Sequence, residues 1–595
     1  MAGNFTTRPE IKGTLGIVAA THYLAAQSGM AMLERGGNAF DAAVAAGLVL
    51  HVVEPHQCGP GGEVPAIGYS AAEGEVFVLD GQGPLPEAAT PARFAELGLD
   101  RVPGTGLLAA CVPGAFGAWF ALLDRFGTLG LREVFAPAIH YAKHGFPALA
   151  SLASVLAKSA EFVGTNWPST AALWLGDGPP IPGQRLWNRP LAETFERIVA
   201  EGEAAGADRS AQIEQARRAV YEGFVAEAID GFARQVVSDE AGEHAGLLGG
   251  SDLARWRASL EPAVRFQYRD LEVCKTGPWG QGPVFLQQLA LLEEMELGAL
   301  GPTSAELIHL VTEASKLAFA DREAYYGDPR KVEVPLSGLL DPAYSTTRRA
   351  LVGDRANHEI RPGAPEGFTP RLPDLLDQLI AEAARGGMDR GVVPRSGIEA
   401  ARRDTTHLDV ADRFGNLISV TPSGGWLQAS PTIPGLGFCL GTRAQMCWVQ
   451  DGLASSVRPG GRPRTTLSPS LVLRDGAPWL AFGTPGGDQQ DQWTMCFFLR
   501  HVEHGLDLQA AIDAPNWHHA HVPSSFAPRD AHPGELVVET SVGEEVLAAL
   551  RERGHRVVEA PPYSLGRLTA VGRLGDGMLR AGADARGAQA YAVGR

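Results

Sequence analysis

The sequence changes character at Thr405, and this change constrains the fold more than any other feature. Residues 361–403 are rich in Pro, Gly and Arg, with one helical stretch near 373–384, and this composition predicts an exposed connector. From Thr405 onward, alternating and β-branched residues predict strands. The chain is therefore expected to divide into a part that ends in a connector and a part that begins with a strand.

Helical and strand-like patterns alternate on both sides of this junction. The predicted strands are 16–20, 66–70, 75–79, 406–411, 417–421, 470–473, 479–483 and 535–542. The predicted helices are 25–34, 41–53, 116–126, 131–144, 306–326, 491–504 and 543–553, and the interval 113–264 is mainly helical. Such a pattern predicts helices packed on a large mixed sheet.

Charge and cysteine content exclude several classes of protein. The 595 residues include 51 Lys and Arg against 68 Asp and Glu, a net charge of −17, which argues against nucleic acid or an anionic membrane surface as partner. The six cysteines form no C-x-x-C pair, and their sparse spacing predicts reduced, buried thiols, not a disulfide framework or a zinc site.

The sequence also carries no signal for export or membrane insertion. The N-terminal residues lack a basic segment followed by an apolar one, and no stretch approaches about 18 uninterrupted apolar residues. We therefore expect a soluble cytoplasmic protein without a membrane partner.

The junction Arg403-Asp404-Thr405-Thr406-His407 has the composition that a self-cleaving precursor needs. The Thr405 hydroxyl can attack the carbonyl of Asp404, and hydrolysis of the resulting ester frees a new N-terminus. Thr405 then carries a nucleophilic hydroxyl and its own general base, an α-amine with a pKa of about 7.7–8.0. A threonine at the start of a strand more often reflects β-propensity alone, so the spacing by itself favours the structural interpretation.

A series of motifs along almost the whole chain provides stronger support. They are LERGGNAFDAAVA (33–45), VEP (53–55), GPGG (59–62), VPG (112–114), PA (137–138), EASKLAFADR (313–322), TTH (405–407), DRFGN (412–416), RP (462–463), SP (468–469) and PGG (485–487). In this order they resemble the γ-glutamyltranspeptidase family, whose members are N-terminal-nucleophile (Ntn) hydrolases.

The resemblance implies a fold, a cleavage and a set of catalytic residues. It implies an α+β, four-layer αββα sandwich with a mainly helical extension, and a precursor cut between Asp404 and Thr405 into fragments 1–404 and 405–595. The fragments are expected to stay associated, and a dimer of that heterodimer is left open. Thr405 is the expected nucleophile, and the N–H groups of Gly486 and Gly487 are expected to hold the oxyanion, which only a residue without Cβ can approach so closely. The resemblance implies no cofactor and no metal.

Two charged contacts of the family's pocket for the glutamyl zwitterion are replaced. The arginine expected to bind the substrate α-carboxylate falls within 79–84, where Gln82 is the nearest match, and Gln cannot form a charged bidentate contact. The family's acidic segment corresponds to 440–447, which contains no carboxylate and contributes Arg443 instead.

Hydroxyl groups are retained at other positions of this pocket. Ser423 occupies the place of the threonine that positions the nucleophile, and Gly425 replaces an asparagine two residues later. Thr465 and Thr466 replace a serine pair that contacts the substrate carboxylate. Gln82, Arg443, Thr465 and Thr466 are therefore the predicted substrate-binding residues, and Thr405, Ser423, Gly486 and Gly487 the predicted catalytic ones.

These observations leave three functions open. The first is an autoprocessed amidohydrolase of the γ-glutamyltranspeptidase type that hydrolyses or transfers a γ-glutamyl-like acyl group. The second is an amidase or acylase for another acyl group, such as a dicarboxylic half-amide, whose distal carboxylate Arg443 suits. The third is an uncut, inactive relative that acts by binding, although the retained catalytic residues argue against it.

Two further features bear on other kinds of site, a metal site and the nucleophile elbow of an α/β-hydrolase. Trp517-His518-His519-Ala520-His521 lacks a Cys or carboxylate at metal-ligand spacing, so a histidine-rich loop is the favoured interpretation. A Gly-x-Ser-x-Gly elbow is absent, which disfavours an α/β-hydrolase.

Overall fold

The protein was analysed as a computed structural model that describes residues 5–386 and 405–595. Residues 387–404 lie outside the described part, so the predicted connector is described only as far as residue 386. Asp404, the predicted residue before the cleavage point, lies outside it as well.

The strands are β1 (Ile11–Gly13), β2 (Gly16–Ala20), β3 (Ala66–Ser70), β4 (Glu75–Asp80), β5 (Phe146–Pro147), β6 (Arg185–Leu186), β7 (Val236–Asp239), β8 (Gly242–Ala245), β9 (Ser259–Glu261), β10 (Val264–Tyr268), β11 (Leu271–Lys275), β12 (Leu408–Asp412), β13 (Leu417–Val420), β14 (Ser470–Arg474), β15 (Ala477–Gly483), β16 (Trp517–His519), β17 (Glu535–Glu539), β18 (Arg556–Ala560), β19 (Thr569–Arg573), β20 (Leu579–Ala583) and β21 (Tyr591–Gly594).

The helices are α1 (Tyr23–Glu34), α2 (Ala39–Val53), α3 (Pro91–Glu96), α4 (Ala115–Phe126), α5 (Leu131–His144), α6 (Ala150–Asn166), α7 (Pro168–Trp174), α8 (Arg189–Glu203), α9 (Arg209–Tyr221), α10 (Phe224–Ala233), α11 (Gly250–Arg255), α12 (Gly282–Leu292), α13 (Ala305–Tyr325), α14 (Leu336–Leu339), α15 (Pro342–Arg349), α16 (Leu376–Gly386), α17 (Gln490–Val502), α18 (Leu508–Asp513) and α19 (Glu544–Glu552).

Two seven-stranded sheets form the centre of the described structure. One has the strand order β21-β2-β12-β13-β3-β4-β9, and the other β1-β20-β19-β15-β14-β11-β10. All pairings within these two sheets are antiparallel, so the mixed sheet predicted from the sequence pattern is wrong. Apolar side chains from both sheets fill the space between them, including Ile17, Ile67, Leu471 and Val571.

Helices cover the outer face of each sheet. Helices α1 and α2 pack on the sheet that contains β2 and β12, and α12, α13 and α17 contribute to the core on the other side. This arrangement is the αββα sandwich that the resemblance predicts. Helices α4–α11 form the mainly helical extension, which also contains the short pairs β5–β6 and β7–β8.

Local chemistry explains why α2 forms and packs so closely. Asn38 accepts hydrogen bonds from the N–H groups of Phe40 and Asp41, and the Asp41 carboxylate accepts from the Asn38 N–H, which completes a capping box. The helix is buried along its whole length, and a Cβ on Gly47 would overlap the Trp119 ring. Its small residues therefore allow tight packing.

The hairpin β12–β13 confirms the strand pattern predicted after Thr405. The two strands pair with Leu408 opposite Val420, and the Asp412 carboxylate accepts hydrogen bonds from the N–H groups of Phe414 and Asn416 in the turn. The same carboxylate accepts from the N–H of Ala39 at 2.8 Å. Asp412 thereby ties the hairpin to the start of α2.

Other predicted elements are confirmed with small differences in their ends. The helix predicted at 306–326 is α13, and the strand predicted at 535–542 ends at Glu539 and continues as a short 3-10 turn. The histidine-rich segment is not a loop, because Trp517–His519 forms strand β16 beside β17. Within residues 5–386 and 405–595, no helix combines the length and apolar character that crossing a membrane requires.

Candidate active site

Thr405 lies three residues before β12, a strand near the middle of its sheet. The neighbouring Thr406 donates from its backbone N–H and its hydroxyl to the Pro422 carbonyl, at 3.0 and 2.9 Å. The His407 carbonyl accepts from the Thr21 N–H at 3.0 Å. These bonds hold the backbone that directly follows Thr405 on both sides.

The Thr405 hydroxyl contacts Ser423, which confirms that the structure brings these two predicted residues together. Their oxygens are 3.1 Å apart, and both side chains are buried. Ser423 and Glu63 exchange two backbone hydrogen bonds of 2.9 and 3.0 Å. A Cβ on Gly62 would overlap the Ser423 carbonyl oxygen, so the chain can approach Ser423 this closely only because Gly62 has no side chain.

Arg443 lies against Ser423. Its Nη2 donates to the Ser423 hydroxyl at 2.8 Å and forms an ion pair with Glu63. The guanidinium lies 4.9 Å from the Trp426 ring centre and 5.8 Å from that of Phe526. Burial raises the pKa of the Glu63 carboxyl, although the charge of Arg443 opposes that effect. We call Glu63, Arg443, Ser423 and Thr405 the Ser423 network.

Gly486 and Gly487 follow β15, which packs across from β12 and β13. Gly486 has a φ of +109°, and a Cβ there would overlap Trp493. A Cβ on Gly487 would lie 2.7 Å from the Phe526 ring, which also contacts Arg443. Within the described residues, the N–H groups of Gly486 and Gly487 donate no hydrogen bond.

A second set of charged groups holds the glycine loop. Arg464 pairs with Glu323 at 2.9 Å and donates to the Ser525 hydroxyl at 3.2 Å. Ser525 in turn donates to the Asp488 carboxylate at 2.6 Å from its hydroxyl and at 2.8 Å from its N–H. Asp488 also pairs with Arg322. We call Glu323, Arg464, Ser525 and Asp488 the Ser525 network.

Asp488 is ionised in this network. Burial alone raises the pKa of its carboxyl, but the Arg322 charge and the two Ser525 hydrogen bonds outweigh that effect. The pKa of Asp488 therefore lies below its usual value. Since an ionised carboxylate only accepts hydrogen bonds, the direction of the Ser525 hydroxyl is fixed.

The other predicted substrate-binding residues are buried. Gln82 donates from Nε2 to the Gly83 carbonyl at 3.1 Å. The Thr465 N–H donates to the Trp279 carbonyl at 2.8 Å. Among the described residues, the Thr466 hydroxyl and the Gln82 Oε1 have no hydrogen-bond partner. Their role in binding a substrate stays a prediction.

Comparison with known proteins identifies the family. The model of the family described as gamma-glutamyltranspeptidase matches residues 25–594. The chain belongs to the γ-glutamyltranspeptidase family. It is 32% identical to the acylase ACY 1 proenzyme of Pseudomonas sp. (strain SE83), covering 95% of this chain and 91% of that protein. It is 29% identical to the glutathione hydrolase proenzyme of Bacillus subtilis (strain 168), covering 92% and 86%.

Solved structures give the same result for the fold. The structure of LmbA2991HD has a TM-score of 0.93 and 51% identity, covering 99% of this chain and 100% of that one. A cephalosporin acylase from Bacillus halodurans has a TM-score of 0.83 and 26% identity, covering 100% and 98%. The chain is thus an enzyme of the γ-glutamyltranspeptidase family, with relatives named as acylases and as glutathione hydrolases.

Two acidic residues near the candidate active site of this family member were missed by sequence reasoning. Glu63 follows the GPGG turn, but its contact with Arg443 joins residues 380 positions apart. Glu54 lies in the VEP motif and accepts from the Thr21 hydroxyl at 2.9 Å. Burial raises the pKa of Glu54 to about 7 despite the nearby charge of Arg567. The available signals were the place of Glu54 within the VEP motif and of Glu63 directly after the GPGG motif.

His519 of β16 and His521, which follows this strand, have structural hydrogen bonds. His519 contacts the Ser315 hydroxyl at 3.0 Å, and His521 contacts the Glu359 carbonyl at 3.1 Å. In the described part of the chain, His309, Glu313 and His555 are grouped closely enough to share a metal ion. However, His309 and His555 bond each other at 2.9 Å, and Glu313 pairs with Lys316 (2.6 Å). These hydrogen bonds therefore account for the close grouping of the three residues.

Proposed function

We propose that this enzyme matures by cleavage before Thr405 and then hydrolyses an amide through an acyl-Thr405 intermediate. The observation that carries the proposal is the 3.1 Å contact between the Thr405 and Ser423 hydroxyls at the start of β12. The N–H groups of Gly486 and Gly487, which donate to no described residue, add hydrogen-bond donors for an oxyanion.

Maturation uses the chain's own groups and water. The Thr405 Oγ attacks the Asp404 carbonyl carbon, the C–N bond breaks, and the proton from Oγ passes to the leaving nitrogen. Water then hydrolyses the ester, which leaves a carboxyl group on Asp404 and a free α-amine and hydroxyl on Thr405.

Each turnover repeats this chemistry on a substrate. The Thr405 α-amine takes the proton from Oγ, and the oxygen attacks the substrate carbonyl carbon. The N–H groups of Gly486 and Gly487 donate to the resulting oxyanion. The C–N bond breaks as the α-ammonium returns the proton to the leaving amine, and water, activated by the same amine, then releases the acid from Thr405.

The acyl group is proposed to lack the zwitterion of γ-glutamyl compounds. Gln82 is uncharged, and the charges of Arg443 and Glu63 neutralise each other in their ion pair. An α-amino acid head group therefore has no evident partner of opposite charge at these positions. The names of the acylase relatives support this choice, and those of the glutathione hydrolases support a γ-glutamyl substrate as the alternative.

A dicarboxylic half-amide is a second candidate, favoured by one observation. The buried Nε of Arg443 has no hydrogen-bond partner among the described residues. A carboxylate at the far end of a short acyl chain could accept a hydrogen bond from it.

Intact mass under denaturing conditions tests the mechanism. We expect two fragments from the wild type, divided between Asp404 and Thr405, and one uncut chain of 62.9 kDa from Thr405→Ala. Acylation of the Thr405 fragment by a slow amide substrate should add the mass of the acyl group. An uncut and inactive wild type would reject the proposal in favour of a binding relative.

A matched series of p-nitroanilides tests the acyl group. γ-Glutamyl, glutaryl and pentanoyl p-nitroanilide have the same chain length, and the series removes first the ammonium and then the carboxylate. We expect the glutaryl or pentanoyl compound to have the highest kcat/KM. A clear preference for the γ-glutamyl compound would reject the acylase assignment and leave the cleavage mechanism intact.

A further inference from the structure

We propose that Arg443 directs the Ser423 hydroxyl to donate its hydrogen to the Thr405 Oγ, and that Glu63 fixes Arg443 for this task. Arg443 and Glu63 are then positioning residues that act through Ser423. The inference rests on the proposed function, because it assigns a role in the reaction of Thr405.

The donor and acceptor capacity of each group favours one direction for the Ser423 hydrogen bond. A serine hydroxyl has one hydrogen and two lone pairs, whereas a guanidinium only donates. The 2.8 Å contact from Arg443 Nη2 therefore occupies a lone pair of the Ser423 oxygen. The hydrogen of Ser423 remains for its other neighbour, the Thr405 oxygen at 3.1 Å.

The charge of Arg443 strengthens this direction. A cation that donates to a hydroxyl oxygen withdraws electron density from it, so the hydroxyl becomes a better donor and a poorer acceptor. Ser423 is then suited to donate to an oxygen that gains negative charge, as the Thr405 Oγ does when its proton leaves. The Thr405 hydrogen is in turn directed away from Ser423 and towards its own α-amine.

The Ser525 network shows the same order of groups, and there the direction of the serine hydrogen bond is fixed. In the Ser525 network, Arg464 donates to the Ser525 hydroxyl, and Ser525 donates onward to the Asp488 carboxylate. The order of groups is the same as in the Ser423 network, with a glutamate beside the arginine in each case. The last acceptor differs, and Arg464 uses Nη1 for its glutamate and Nη2 for its serine, whereas Arg443 uses Nη2 for both.

Glu63 contacts both Arg443 and Ser423. Its carboxylate pairs with the Nη2 that also reaches Ser423, and its backbone exchanges two hydrogen bonds with Ser423. Glu63, Arg443 and Ser423 therefore form a closed set of contacts. The rings of Trp426 and Phe526 lie beside the guanidinium and limit its movement.

A double-mutant cycle on the mature enzyme tests the inference. We expect Arg443→Gln to lower kcat about 10- to 100-fold with little change in KM, equally for the glutaryl and pentanoyl p-nitroanilides. In a Ser423→Ala background the same substitution should have no further effect, since Arg443 acts through the missing hydroxyl. Arg443→Lys, which keeps the charge, should recover part of the loss.

Two outcomes of the cycle would overturn the inference. An equal loss in the presence and absence of Ser423 would show that Arg443 does not act through this hydroxyl. A loss confined to KM for the glutaryl compound would make Arg443 a ligand of the substrate carboxylate. Glu63→Gln/Arg443→Gln, which removes both charges together, provides a second variant if the single substitution prevents folding, and it should give the same loss of kcat.

Neutron diffraction on the deuterated wild type gives a readout that is independent of activity. We expect deuterium on the Ser423 Oγ, on the line to the Thr405 Oγ. Deuterium on the Thr405 Oγ that points towards Ser423 would overturn the inference even if the enzyme is active. If the wild type neither matures nor reacts, the proposed function fails, and the deuterium position still decides the direction of the hydrogen bond.

Discussion

The Ser423 and Ser525 networks are built from the same three groups but end on different acceptors. In each, a buried arginine pairs with a glutamate and donates to a serine hydroxyl. Ser525 passes its hydrogen to Asp488, whose carboxylate is also paired with Arg322. Ser423 instead faces Thr405, a hydroxyl that can react.

Because of this difference, we expect the Ser525 network to support the backbone and the Ser423 network to control reactivity. The Ser525 network is closed by ionised groups on both ends, and it anchors the residue that directly follows Gly487. Its expected effect is to hold the glycine N–H groups in place. The Ser423 network ends on the candidate nucleophile, so a change there should affect the rate more than the stability.

The pKa values of the two glutamates sharpen this contrast. Burial raises the pKa of Glu63, so this carboxyl takes up a proton readily when its arginine is lost. Burial has the same tendency at Glu323, but the charges of Arg464, Arg322 and Arg529 outweigh it and lower the pKa. Glu323 is therefore the glutamate that depends more on its arginines.

The largest expected effect is on stability, from Arg464→Gln. Removing Arg464 leaves the buried Glu323 with less compensation, and breaking a buried pair in this way typically costs about 3–5 kcal/mol. We expect a loss of this size in the free energy of unfolding, measured by urea denaturation of the uncut Thr405→Ala chain. Arg443→Gln in the same background should cost clearly less.

An exposed ion pair provides the control for this comparison. Lys143 and Glu196 are 2.7 Å apart with side chains 51% and 41% exposed, so Lys143→Gln should change the unfolding free energy by about 0–1 kcal/mol. If Arg464→Gln costs no more than this control, the Ser525 network does not stabilise the loop as proposed.

The next effect is on the rate, from Gly487→Ala. The added methyl group would lie 2.7 Å from the Phe526 ring, so the loop must shift and move the Gly487 N–H away from the oxyanion. Loss of one such donor typically lowers kcat about 10²- to 10³-fold. Steady-state kinetics with the best p-nitroanilide should show this loss in kcat.

Gly575→Ala is the matched control, because nothing lies within 4 Å of a Cβ at that exposed position. This variant should keep the wild-type kcat. A Gly487→Ala enzyme with wild-type kcat would contradict a role of this N–H in the reaction.

Much of the fold could be predicted because its signals are local. The hairpin after Thr405 follows from alternation and from the turn residues 412–416, and α2 follows from its Asn38 cap and small residues. The direction of strand pairing could not be predicted, because it depends on partners far apart in the chain. For example, β12 lies between β2 and β13, and β2 is almost 400 residues away in sequence.

The residues of the candidate site also divide into those with a local signal in the sequence and those that depend on distant contacts. Thr405 and the glycine pair could be located because each lies in a motif with a recognisable neighbourhood, and Ser423 because it takes the place of the family's second threonine. Arg443 was noticed only as a departure from the family's acidic segment, and its partner Glu63 lies on the other side of the connector. An ion pair between such distant segments leaves no periodic pattern in a single sequence.

The smallest expected effect separates binding from support at Thr466. Its buried hydroxyl has no hydrogen-bond partner among the described residues, and such a group is costly unless something else uses it. Thr466→Val keeps the shape of the side chain, so the unfolding free energy should stay the same or rise by about 1 kcal/mol. If the substrate accepts a hydrogen bond from Thr466, the KM of Thr466→Val should rise about 3- to 10-fold with kcat unchanged.

Thr465→Val is the comparison, because the Thr465 hydroxyl accepts from the Leu467 N–H at 3.4 Å and its loss should cost stability instead. An unchanged KM in Thr466→Val would remove Thr466 from the substrate-binding residues and leave its unpaired hydroxyl without a function in the pocket.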